Sequence, residues 1–268
     1  MIDDSARPDE VVTVRGYSGR AIARVGFQVQ LYLLHGDDPA VRHRVVDLIS
    51  GFADASPEIV KFQRHVANRL SPIAGKNLAE LFHAEVERID ATIDAHGPHV
   101  TDSHEPPRWQ GAALMHEAKS RGTAISYVHL SMPAELPALD PDEMVDRVLG
   151  WCRHAQPLHG SAGYALVSEI GMLPHYGAHT WPQLRRFSGL GHMGQYITAA
   201  RRAERIQIQG VNWLTVLGAP MLDEIGGVER LTGLLEGAAK ELGATAGEAV
   251  SLHEYDGGVV IRAGRVPQ

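Results

Sequence analysis

A single cysteine, Cys152, stands among 268 residues, so no disulfide can close within the chain. Secreted proteins of this size usually carry more, although a low count does not by itself exclude the periplasm. Basic residues are also short: 25 Lys and Arg against 32 Asp and Glu give a net charge of -7 with neutral histidine and a pI near 6.1. Autonomous nucleic-acid binding needs clustered cations to displace counterions from phosphates, so no nucleic acid is expected as a partner. No run approaches the roughly 18 apolar residues of a membrane helix. The opening MIDDSARPDE is acidic and has no apolar core, which argues against a signal peptide. No membrane association and a cytoplasmic location are the resulting expectations.

What is present is an ordinary globular composition, 44% hydrophobic and 21% charged, able to bury one large core or two smaller ones. Residues 1–20 read as a partly flexible lead-in. RVGFQVQLYLL then alternates strictly, with Val25, Phe27, Val29, Leu31 and Leu33 on one face, and predicts a strand. HGDDPA makes a turn in which Asp38 can cap a helix opened by Pro39. The helix that follows carries Val41, Val45, Leu48, Ile49 and Phe52. From Leu78 to Ile93 the apolar stripe Leu78, Leu81, Phe82, Val86, Ile89 and Ile93 predicts a second helix, with Glu80, Glu87, Asp90 and Asp94 forming an acidic outer face. The Pro- and His-rich stretch 96–107 is the candidate boundary between halves of about 21–107 and 108–268.

The second part twice shows strand, helix, strand: TAISYVHLSMP, DPDEMVDRVLGWC and GYALVSE, then VNWLTVL, VERLTGLLEGAAKEL and GGVVIRAG. The order recurs without sequence similarity. It predicts an α+β fold, with mixed or antiparallel sheet flanked by helices, in two pseudo-similar halves.

Chemistry-bearing motifs are weak. His175, His179 and His192, or His96, His99 and His104 with Glu105, have the donor types of a zinc site. Pro174, Gly177 and Pro182 disfavour the regular helix that would present His175 and His179 together, and HExxH is absent. Gly189, Gly191 and Gly194 spell G-x-G-x-x-G, but WPQLRRF before them does not read as the buried strand a dinucleotide site requires. Gly160-Ser161 lacks the glycine of a nucleophile elbow, and Cys152 falls on an apolar helix face, where a thiol is inert. No catalytic residue, metal or cofactor is assigned. The alternative kept open is a small metal-dependent enzyme using the His-rich loops.

The least polar stretch, QGVNWLTVLGAPMLDEIGG at 209–227, reads as a buried strand and helix entry. Trp213 would anchor the core, Asn212 would satisfy local backbone, and Gly226-Gly227 would break the chain before a helix. Together with GGVVIRAGRVPQ, where Gly258 and Gly264 sit, and the upstream SYVHLSMPAEL, PLHGSAGYAL and ARVGFQVQLYLLHGD, it resembles the type VI secretion immunity proteins associated with VRR-Nuc effectors. Relatives run past the Pro-Gln pair into a Gly-Asp continuation, where this chain stops at Gln268.

The resemblance implies a non-enzymatic cytosolic antitoxin that binds and neutralises a cognate effector, a nuclease, by blocking its active site. It carries over no catalytic residues and no oligomeric state. Physically, an inhibitor of net negative charge can be steered to a groove built to attract DNA. Self-protection calls for about nanomolar affinity, about -12 kcal/mol. Asp37, Asp38, Glu80 and Glu87 are the expected partner-binding residues.

Overall fold

Strand β2 (Ala21–Leu33) organises the molecule, because it is long enough to serve several neighbours. The structure is a computed structural model and describes residues 13–56, 58–64, 71–73, 75–87, 91–97, 106–115, 126–168, 177–187, 189–192, 208, 211–241, 243 and 249–267. One edge of β2 pairs antiparallel with β8 (His159–Val167) from Arg24 to Tyr32. The other edge pairs with β7 (Ser126–Met132) from Phe27 onward and with β1 (Thr13–Arg15) nearer its start. Part of the expected lead-in is therefore strand.

The remaining strands are β3 (Lys61–Arg64), β4 (Ser71–Pro72), β5 (Ala91–His96), β6 (Gln110–Met115), β9 (Gly191–His192), β10 (Leu214–Gly218), β11 (Val250–Tyr255) and β12 (Gly258–Ala263). One sheet runs β11-β12-β10-β8-β2-β7-β6-β5-β3-β4. Its ladders are antiparallel except for the two-residue parallel pairing of β8 with β9. The α+β expectation holds, with helices against an open antiparallel sheet. Two halves are not displayed, since β5 and β6 pair straight across the point proposed to divide them.

Helices α1 (Pro39–Asp54), α2 (Leu78–Val86), α3 (Leu136–Leu139), α4 (Pro141–Ala155), α5 (Gly177–Arg186), α6 (Ala219–Ile225) and α7 (Gly227–Glu241) follow local signals closely. Asp38 Oδ1 accepts from the Ala40 amide at 2.8 Å and Pro39 opens α1, as the turn predicts. Asp140 caps α4 in the same way through the Glu143 amide, at 2.9 Å. Phe27, Val29, Leu31 and Leu33 pack in one core with Val45, Ile49, Val148 and Cys152 of α1 and α4. On the opposite face Tyr32, Leu217 and Val259 pack with Met221, Leu222 and Leu231 of α6 and α7. Burial raises the Cys152 thiol to about 12, which keeps it protonated and inert.

Two expectations are corrected. The helix from Leu78 stops at Val86, and Ile93 and Asp94 are buried in β5. Residues 91–96 pair with β6 along their whole length and with β3 over most of it, and this two-sided ladder overrides a helical spacing that continues only by coincidence. Asp94 thus leaves the acidic outer face and lies within reach of the Gln110 amide, at 3.5 Å. Conversely, 177–186 is a helix despite Pro182. Both Pro182 and Ala178, whose carbonyl the proline cannot serve, are exposed, so water can take up the missing hydrogen bond.

Candidate functional site

Among the described residues no three His, Cys, Asp or Glu side chains converge to hold a metal ion. Of the histidine candidates, His175, His99 and His104, with Glu105, lie outside the described residues, and His96 and His192 are placed only as strand positions. His179 is on α5, its ring edge-on to Tyr17 at 4.5 Å. Gly189 precedes β9 and Gly191 lies within it, so this glycine run does not open a helix after a strand; Gly194 is outside the described residues.

The C-terminal motif residues are brought together, and they form a lock. The Asn212 side chain accepts from the Trp213 amide at 2.8 Å and fills the space beside Gly163 of β8. A Cβ on Gly163 would stand 1.9 Å from Asn212 Oδ1, and one on Gly191 would stand 3.2 Å from its Nδ2. Trp213 is buried edge-on to Phe27, with ring centroids 5.9 Å apart, and its indole donates to the Gly264 carbonyl at 3.3 Å. The Arg262 guanidinium lies 5.5 Å from the Trp213 ring and donates to Asp142, at 2.6 Å, at the head of α4. That hydrogen bond and charge hold the Asp142 carboxyl below its ordinary value. Gly258 is required where β12 passes β10, since a Cβ there would meet the Leu217 carbonyl at 2.4 Å. Gly226 and Gly227 take positive φ, 97° and 90°, and divide α6 from α7.

The acidic candidates are exposed on a separate ridge formed by α1 and α2. Arg42, itself buried, donates from Nε to the Gly36 carbonyl at 2.6 Å and from Nη1 to the Val86 carbonyl at 2.7 Å. One side chain thereby ties the Asp37-Asp38 turn to the end of α2, where Glu87 follows. Glu80 sits at the other end of α2, beside the capping Asn77. Three of the four acidic residues are thus gathered at one end, and the fourth lies about 10 Å along the helix.

Between them lies a cluster that sequence reasoning missed. His83 Nε2 is 3.1 Å from Asp47 Oδ1, and His83 Nδ1 is 2.7 Å from His43 Nδ1. The His83 ring thus bridges Asp47 and His43 of α1 from its place on α2, linking the helix pair through both of its nitrogens. His43 and Asp47, four apart on α1, were a visible signal; His83, forty residues away, was not.

The sheet face opposite α1 and α4 carries buried polar groups. Gln28 Nε2 lies 3.0 Å from His129 Nδ1, and Tyr32 donates to Gln30 at 3.1 Å. His159, stacked on Tyr32 at 5.4 Å, is held below its ordinary value by burial, partly offset by the Val216 carbonyl.

The sequence model of the family described as TsiV, "Type VI immunity for VRR-NUC", matches residues 44–268. The fold is similar to that of the Pseudomonas aeruginosa T6SS protein PA0821, with a TM-score of 0.79 at 20% identity over 96% of this chain and 72% of that one. A solved complex of the toxic C-terminal tip of CdiA from Pseudomonas aeruginosa with its immune protein aligns over 53% of this chain and 86% of that one at 12% identity, but its TM-score of 0.25 supports no argument. No curated protein matches the chain.

Proposed function

The chain belongs to the TsiV family, type VI immunity for VRR-NUC, and on that basis we propose that it meets its effector through the α1–α2 ridge and covers the effector's active site. Immunity is a binding role, and no catalytic residue is required of this chain. The observation that carries the reading is the Arg42 joint, which assembles Asp37, Asp38 and Glu87 from two segments into one exposed acidic end. A nuclease groove attracts the DNA backbone with positive charge, so a ridge of this kind is drawn to it and displaces DNA by occupying it. Asp37 and Asp38 precede the span matched by the family, and the ridge is accordingly proposed for this chain alone. Because the target of the nuclease is DNA, the protein acts in the cytoplasm, with the chain from residue 21 as one immunity unit. Among the described residues no helix is long and apolar enough to cross a membrane.

The test is a variant carrying Asp37→Lys, Glu80→Lys and Glu87→Lys with Asp38→Asn, which keeps the cap of α1. Its association rate with the effector at low salt is expected to fall at least about tenfold, with a shallower salt dependence. Unchanged rate and salt dependence in a folded variant would remove the ridge from the interface.

A further inference from the structure

At the opposite end of β2 arginines gather. A cleft of about 450 Å³ opens against β1 and the start of β2, floored by Val25, Met132 and Val167. Arg15, Arg24 and Arg108 line it, together with Glu135, the single carboxylate among its described lining residues. Arg108 Nη2 donates to Glu135 at 2.5 Å, and Arg15 Nη1 donates to the Gly19 carbonyl at 2.9 Å, which holds both guanidiniums in place. In a chain of net charge -7, a cleft whose described lining gathers three arginines is a local concentration of guanidinium groups.

Exposed aromatic side chains belong to the turn after β1 and to the helix in contact with that strand. The turn after β1 presents Tyr17, which is 95% exposed and set edge-on to His179 of α5. The same helix holds Trp181, 61% exposed, out to solvent. Trp, Tyr and Arg are the side chains that dominate protein interfaces, because each brings a large, stiff contact area with a polar edge. The planar guanidinium also matches a carboxylate in two parallel hydrogen bonds.

We propose that this arginine cleft, with Tyr17 in the turn that follows Arg15, is a second contact site for the effector and takes a carboxylate-bearing segment of it. The proposal rests on the immunity reading for its partner but not on the acidic ridge. At about 3.3 Å per residue, Arg24 and Leu33 lie about 30 Å apart along β2, and the acidic turn lies beyond Leu33. A standard interface of about 800 Å² per partner is about that wide, so the two sites are separate footprints on one effector. Charge complementarity selects the occupant: guanidiniums held in fixed positions match the carboxylate side chains of a surface segment outside the groove that the ridge covers.

The experiment uses the full chain and its cognate VRR-NUC effector, disabled at its catalytic centre, with binding measured by calorimetry. Arg15→Glu with Arg108→Glu is expected to weaken binding at least about tenfold, or 1.4 kcal/mol. The swap Arg108→Glu with Glu135→Arg keeps the ion pair and the net charge, and is expected to stay within about threefold of the parent. Should the reversal destabilise the fold, Arg15→Ala with Arg108→Ala replaces it and is expected to lose affinity in the same direction. Unchanged affinity in a folded reversal variant overturns the proposal, even if the ridge variant loses binding. Loss in the arginine variants alone supports the cleft and removes the ridge. Binding of duplex DNA by the parent that the reversal abolishes, with effector affinity intact, would assign the cleft to nucleic acid and overturn the proposal.

Discussion

The Asn212–Trp213 lock and the α1–α2 ridge are built from opposite materials. The lock is glycine-dependent and turned inward, and each of its parts touches another part of the same chain: half-buried Asn212 fills the gap left by Gly163, and buried Trp213 reaches Gly264. The ridge is charged and exposed, and its acidic side chains point away from the molecule. At Gly163 the lock leaves no room for a side chain while Asn212 keeps its place, since a Cβ there would stand 1.9 Å from Asn212 Oδ1. The ridge carries no such signature, since a solvated carboxylate is compatible with nearly any neighbour. On the proposed reading, the packing that holds the fold and the surface that meets the partner lie in different places.

That separation can be broken experimentally. The largest effect is expected from Trp213→Ala, which should cost about 4 kcal/mol of stability in denaturant unfolding while leaving the affinity of the remaining folded protein unchanged. A change in affinity at equal folded concentration would mean that the lock reaches the interface. The ridge variant should show the converse: a loss of about 1–3 kcal/mol in effector binding with unfolding midpoints close to the parent. Gly163→Ala should destabilise by about 1–3 kcal/mol, because its methyl group must displace Asn212, and Gly163→Ala with Asn212→Gly should recover part of that loss. A neutral Gly163→Ala would show that Asn212 can move freely.

The smallest effect concerns pH. Burial places the folded His159 pKa below its ordinary 6.5, so the unfolded chain takes up the proton first. The stability this contributes is complete above about pH 6.5 and is lost as pH falls through and below that value. His159→Gln should flatten this part of the stability profile in melts recorded from pH 7.5 to 5. An unchanged slope would assign the titration to another histidine.

Much of the fold was legible because its determinants are local. Alternation announced β2, Asp38-Pro39 marked a helix start that the structure places as read, and DPDEMVDRVLGWC was a helix in both. Trp213 and Gly226-Gly227 also took the roles expected of them. What failed was non-local. No spacing rule could show that 91–96 would be claimed from both sides by β3 and β6, so Ile93 was read as helical. The acidic residues could be listed but not assembled, because their convergence depends on Arg42 bonding two carbonyls fifty residues apart in the chain. The arginine cleft was invisible for the same reason: Arg15, Arg24 and Arg108 meet only once β1 has paired with β2 and the chain has returned from β5.

The Arg42 joint also bears on the speed and persistence of any complex formed at that end. Its carbonyl partners belong to a turn and a helix terminus, segments that would otherwise move independently. With both held by one buried guanidinium, the entropy of bringing Asp37, Asp38 and Glu87 into register is lost when the chain folds and not again at the moment of encounter. Whatever docks there meets a charge pattern already set.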